Sequence, residues 1–330
     1  MRSIVRLAAI LAVFLVFAPL SRSQSPGTVL VAYVQMTVER GDLASASALV
    51  DEFRKQAGNT PQALEALSWI ARGELNAGGL EEASKKAEEV ERLCETGLAN
   101  RKFDDEPHLP LALGAAYEVQ AQALNEGHRR TEAVRLLQSA ERRWRGTSIV
   151  ARLQKNLNVL TLEGKPLPVL RQSEWIGAKP VPENALRGKV VLLFFWAHWC
   201  ADCKAEAPIL KQLGTEFERK GLVIIGPTKL YGYTPQDEHA NAAEERAFIE
   251  KVYTRFYSEI PNLYVPLSEM NFERFGASTT PTIIVADRRG IVKLYHPGLM
   301  DEASLRAAIE PLLKGENSVR AARYRVRDNL

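Results

Sequence analysis

The chain is poor in cysteine. Its 330 residues carry three, Cys94, Cys200 and Cys203, which excludes a fold held together by a disulfide framework. It also lacks charge of one dominant sign. Arg2, Arg6 and Arg22 are the only charges in residues 1–23. Without them 40 basic residues face 40 acidic ones, so nothing implies a nucleic-acid partner. The four arginines between Arg320 and Arg327 read as a solvated basic tail, residues 316–330. No apolar run reaches the ~20 residues of a membrane-spanning helix. The longest, Leu7 to Leu20, follows two arginines and ends at Ser21-Arg22-Ser23. A basic start, a short apolar stretch and a small-x-small motif read as a secretory signal peptide over 1–23, cleaved near Ser23–Gln24. An uncleaved anchor is the alternative. No cysteine follows closely to carry a lipid.

What is present is a globular composition, 46% hydrophobic and 25% charged, long enough for two domains. From about Val29 to Leu162 apolar residues recur three and four apart among many alanines, a helical period. Gly41-Asp42-Leu43-Ala44-Ser45-Ala46 and Gly78-Gly79-Leu80-Glu81-Glu82-Ala83 match at a shift of 37 residues, and a looser copy runs from Gly127 to Ala133. Glycine, a short turn and an alanine opening a helix resemble the second half of a tetratricopeptide repeat, although the spacing departs from the ~34-residue period. Residues 24–162 are therefore expected to be a tetratricopeptide-like helical domain, with a plain bundle as the alternative. Stacked helices of either kind offer a docking surface for partners. Cys94, alone on a helix, reads as a small buried hydrophobe.

After Gly164-Lys165-Pro166 the texture changes. Short β-rich runs, Val190–Trp196, Leu222–Ile225, Thr282–Ala286 and Ile291–Tyr295, alternate with helical stretches at Ala201–Glu218, Ala242–Tyr257 and Glu302–Leu313. That alternation means an α/β sheet over 163–315. Asp287-Arg288-Arg289-Gly290 reads as a hairpin turn.

Cys200 and Cys203 straddle a strand-to-helix junction. There the helix N-terminus stabilises a thiolate, and the two-residue spacer allows the pair to close a disulfide and eject a mixed-disulfide partner. Zinc is the first competing reading, but a tetrahedral site needs about four ligands and only His198 is near. A static staple is the second, and so small a loop stabilises little.

Phe195-Trp196-Ala197-His198-Trp199-Cys200-Ala201-Asp202-Cys203-Lys204, followed by Glu206 and Pro208 and later by Thr279-Thr280-Pro281-Thr282, resembles the exported TlpA-like and ResA-like thiol–disulfide oxidoreductases of the thioredoxin fold. The resemblance covers residues 164–314. It implies Cys200 as the attacking and Cys203 as the resolving cysteine, a redox disulfide between them, and a cis Pro281 over it. It also implies a Thr280 backbone open to an extended substrate and Trp199 as an apolar surface beside Cys200, with core packing as the alternative. The partners would be protein thiols and disulfides and an upstream electron donor. No cofactor or metal is expected.

Thioredoxins proper place a buried aspartate six residues before the first cysteine. Phe194 stands there, so either no proton relay exists or Glu206, one turn beyond Cys203, takes the role. Asp202 puts negative charge beside the thiolates and raises their pKa, which favours a reductant. His198 and Lys204 oppose it when charged. The stretch from Pro227 to Pro235, with Tyr231 and Tyr233, is longer than the usual connection and reads as a passive insertion or a loop at the substrate face.

The leading expectation is an exported thiol–disulfide oxidoreductase. A thiol peroxidase of the same fold needs a proline seven residues before its cysteine and a Thr/Ser three before, where this chain has Leu193 and Ala197. A helical scaffold with an inert thioredoxin-like half is the third reading.

Overall fold

A computed structural model describes residues 25–180 and 182–314. The signal-peptide expectation over 1–23 and the tail expectation over 316–330 lie outside them. No helix among the described residues is long and apolar enough to cross a membrane.

Seven helices come first: α1 (Pro26–Glu39), α2 (Leu43–Ala57), α3 (Pro61–Asn76), α4 (Leu80–Leu98), α5 (His108–Glu126), α6 (Arg130–Arg143) and α7 (Val150–Thr161). Local chemistry starts several of them. Ser25, Asp42 and Thr60 accept backbone N–H groups of the first turn, and Pro61 opens α3, where a proline loses no helical bond. The pairs α1–α2, α3–α4 and α5–α6 are each joined by a three-residue turn. Gly41 and Gly78 turn the first two at φ 80° and 83°. In the third the left-handed residue is His128, at φ 60°, and Gly127 is not. Ala46, Ala83 and Ala133, matched by the sequence repeat, have no exposed surface, as close helix packing requires. Cys94 is fully buried in the same core.

The second half is a four-stranded sheet in the order β3 (Leu222–Ile225), β2 (Val190–Phe195), β5 (Thr282–Ala286) and β6 (Val292–Pro297). β2 and β3 are parallel, and β5 runs against β2 and β6. Trp196, expected in β2, lies just beyond it, and β6 begins at Val292 because Asp287 spends its carboxylate on the Arg289 and Ile291 N–H groups. All six β2 residues are buried, as in a central strand covered on both faces. Val190, Leu192 and Phe194 face α8 (Ala201–Phe217), α9 (Ala242–Phe256) and α11 (Glu302–Lys314), whereas Val191, Leu193 and Phe195 face α10 (Glu269–Phe275). Each buried Phe or Leu contributes about 1.5–3 kcal/mol. A two-stranded ribbon, β1 (Trp175–Ile176) with β4 (Val265–Pro266), lies outside this sheet.

The two halves meet closely. Asn158 of α7 donates across the seam to the Phe275 carbonyl at 2.9 Å, and within the second half the Tyr295 hydroxyl donates to the same carbonyl and to that of Gly276. Gly276, at φ 62°, has room for no side chain, since a Cβ there would overlap the Lys155 backbone.

Candidate active site

β2 ends at Phe195 and α8 begins at Ala201, so the connecting turn carries the first cysteine to the mouth of the helix. Cys200 is the N-cap of α8, in extended conformation, and its Sγ accepts the Cys203 N–H at 3.0 Å. An N-cap is ordinarily a hydroxyl or carboxylate; here a sulfur takes the place, where the helix dipole favours its anion. Cys200 and Cys203 are joined at 2.01 Å. Cys200 keeps 3% of its surface and Cys203 none, so an incoming sulfur meets Cys200 first. Trp199 beside it is 48% exposed; it is a surface residue, and core packing falls to Trp196 instead, whose indole donates to the Gly226 carbonyl.

β5 pairs with β2 through Phe195 and Thr282, which brings Thr280-Pro281 to the end of the sheet that bears Cys200. The Thr280–Pro281 bond is cis, and the Thr280 hydroxyl has no hydrogen-bond partner. Pro208 lies within α8.

Glu206 is fully buried one turn beyond Cys203. Its Oε1 accepts the Met300 N–H at 3.2 Å and its Oε2 has no partner. Burial pushes the carboxyl up to about 7, and the nearby charge of Asp202 adds to this against the Met300 bond. Phe194, at the thioredoxin aspartate position, is buried against the Tyr257 ring and offers no proton acceptor.

His198 departs from expectation. It is 1% exposed and its Nε2–H donates to Glu245 Oε1 at 3.1 Å. Burial lowers its pKa below the usual 6.5, although Glu245 opposes this. At neutral pH it is therefore mostly uncharged and does not offset Asp202. Lys204 places its ammonium over the Phe256 ring.

The buried pair beside the cysteines that sequence reading missed is His198 with Glu245. Glu245, on α9 and fully buried, accepts the Tyr231 N–H through Oε1 and the Gly232 N–H at 2.7 Å through Oε2. The His198 ring meets the edges or faces of Tyr231, Tyr233 and Phe248, and Tyr231 packs edge-on to Trp199 at 5.7 Å. The long connection after Gly226 is thus fastened beside the cysteines. Its only sequence signal was the pair of tyrosines, because Glu245 lies 47 residues from His198. No group of three or more potential metal ligands occurs among the described residues, and the Cys94 thiol, pushed up to about 12 by burial and by nearby glutamates, is inert.

Residues 164–294 match the AhpC/TSA family model. Thiol:disulfide interchange protein DsbE of Pseudomonas fluorescens biotype C is 31% identical over 43% of this chain and 71% of its own length. Thiol-disulfide oxidoreductase ResA of Geobacillus thermodenitrificans is 25% identical over 38% of this chain and 64% of its own. The crystal structure of a putative DsbE from Chlorobium tepidum aligns over 46% of this chain and 97% of that one, at 24% identity and a TM-score of 0.36. Identity at the level of the Pseudomonas relative, across most of its length, places the chain in the thioredoxin-like family of thiol–disulfide oxidoreductases.

Proposed function

We propose that the protein reduces disulfides of protein substrates outside the cytosol through the Cys200/Cys203 couple, with Glu206 moving the proton of Cys203. The observation that carries this is Cys200 Sγ at the cap of α8, accepting the Cys203 N–H, with the buried carboxyl of Glu206 one turn further on. In the reduced protein the Cys200 thiolate attacks one sulfur of the substrate disulfide. A Cys200–substrate bond forms, and the other substrate sulfur leaves as a thiolate and takes a proton. Glu206 then accepts the Cys203 proton. The Cys203 thiolate attacks Cys200, expels the second substrate thiol and closes the Cys200–Cys203 disulfide. Two electrons pass to the substrate, and a dithiol donor must return them.

Reduction is favoured over oxidation because Asp202 destabilises the thiolate form and His198, mostly neutral, does not compensate. Thr280 supplies its backbone to an extended substrate, and Trp199 supplies an apolar surface. The three helix pairs, read as tetratricopeptide-like, dock the protein partner. Residues 1–23, read as a cleaved leader, put the reaction where thiols are not kept reduced by default.

The test is equilibration in glutathione buffers, with the reduced protein also assayed on insulin disulfides. A potential near about −270 mV, the thioredoxin value, with insulin reduction supports this reading. A value near about −120 mV, that of a disulfide donor, overturns the direction.

A further inference from the structure

Between the two halves lies a cleft of about 820 Å³, whose lining includes Arg72, Glu118, Arg152, Lys155, Ser278 and Thr279. Its cations are not equally engaged. Arg152 donates twice to Glu118 Oε2, and Lys155 donates to Oε1 at 2.7 Å. Burial alone would raise Glu118, but these two cations hold its carboxyl down to about 2. Its charge is therefore spent. Arg72 has no hydrogen bond or ion pair among the described residues. Its guanidinium lies over the Trp69 ring at 4.5 Å, and burial, then repulsion from Arg152, lowers it to about 10. The acids at the rim are turned onto backbone donors: Asp104 accepts the Ser148 N–H, Asp105 that of Lys102, and Glu106 those of His108 and Leu109. The two carboxylates whose charge reaches Arg72, Glu118 and Glu65, are hydrogen-bonded elsewhere, to Arg152 and Lys155 and to His108, so a guanidinium half out of water is left as an unfilled bidentate site.

The cleft also adjoins the loop that leads to the redox site. Ser278 and Thr279 line it, and Thr279 adjoins Thr280-Pro281, one residue step of ~3.8 Å from the backbone that an extended substrate would pair with. An extended segment paired with Thr280 therefore has the cleft within a few residues' reach.

We propose that the cleft is a substrate subsite: it receives the extended segment flanking the reducible cysteine of the protein substrate and binds an Asp or Glu side chain of that segment on Arg72. This rests on the reductase reading above. It gives the helical half a role in substrate choice at the redox site itself. The close seam through Asn158, Gly276 and Lys155 holds Arg72 in fixed relation to Pro281.

The probes are two synthetic peptides, each with one cysteine carried as a mixed disulfide with 4-thiopyridine, a chromophore without a carboxylate. They are identical except for Glu or Gln three to six residues from the cysteine, on either side. Release of the chromophore by the reduced full chain gives kcat/KM. The unsubstituted protein is expected to favour the Glu peptides by about 5- to 30-fold, a single ion pair's coupling of about 1–2 kcal/mol. Arg72→Gln should erase that preference and Arg72→Lys should restore part of it, while both keep the wild-type rate with the small neutral disulfide 4,4′-dithiodipyridine. Equal rates for Glu and Gln peptides on the unsubstituted protein would overturn the subsite without needing any variant. A preference that survives Arg72→Gln would overturn the role of Arg72. No reaction with the small disulfide would overturn the reductase reading, and the subsite with it.

Discussion

Glu206 Oε1 accepts the Met300 N–H while Oε2, one helical turn from Cys203, has no partner. A carboxyl raised from 4.5 to about 7 binds its proton more tightly in the folded than in the unfolded chain. Its stabilising contribution is full below about 4.5 and is lost as pH rises through about 7. The difference is on the order of 3 kcal/mol. Glu206→Gln is therefore expected to stabilise the oxidised protein at pH 8.5 and to change it little at pH 4, as read by urea midpoints. The same variant should slow release of the second substrate thiol by roughly 100-fold. Equal midpoint shifts at both pH values would contradict the buried-acid assignment.

Cys203→Ser leaves the attacking sulfur at its cap and removes the sulfur that resolves it. Mass spectrometry of this variant after mixing with oxidised substrate should find a stable mixed disulfide at Cys200. Cys200→Ser should abolish reduction altogether, and retained activity would remove Cys200 from its role.

Glu245 holds two backbone N–H groups and His198. Glu245→Gln turns an amide N–H₂ towards at least one of those donors, so a loss of about 1–3 kcal/mol is expected. Limited proteolysis should then cut between 227 and 241 sooner, with the reduction rate falling for proteins more than for small disulfides. His198 acts on the acid side. Its pKa is lowered from 6.5 by burial, so the unfolded chain binds more protons and stability falls as pH drops below about 6.5. His198→Phe should remove that slope.

Gly276 combines φ 62° with contact against the Lys155 backbone. Gly276→Ala must open the seam between the halves and hold a left-handed alanine, at a cost of at least about 2 kcal/mol. Calorimetry should show a lower melting temperature or two separated transitions.

The features legible in the sequence are those whose cause is local. The apolar run Val190–Phe195 and the helix after Ala201 placed the cysteines at a helix cap, and Ala46, Ala83 and Ala133 marked the packed faces of three helices. The Glu206 spacing from Cys203 follows from helix geometry alone. By contrast α10 and the β1–β4 ribbon are too short to display a period, and the left-handed residue of the third helix turn is His128, where the sequence match points to Gly127.

What the sequence by itself determined was the strand, the cap and the spacing of the two cysteines, because propensity, spacing and capping act between neighbours in the chain. What only the tertiary structure decided was which polar groups lose water together. His198 is mostly neutral because burial among Tyr231, Tyr233 and Phe248 outweighs the opposing charge of Glu245. Arg72 faces a cleft because α3, α5 and α7 meet the loop before Pro281. Burial and charge pairing depend on residues tens to hundreds of positions apart, and no local pattern records them.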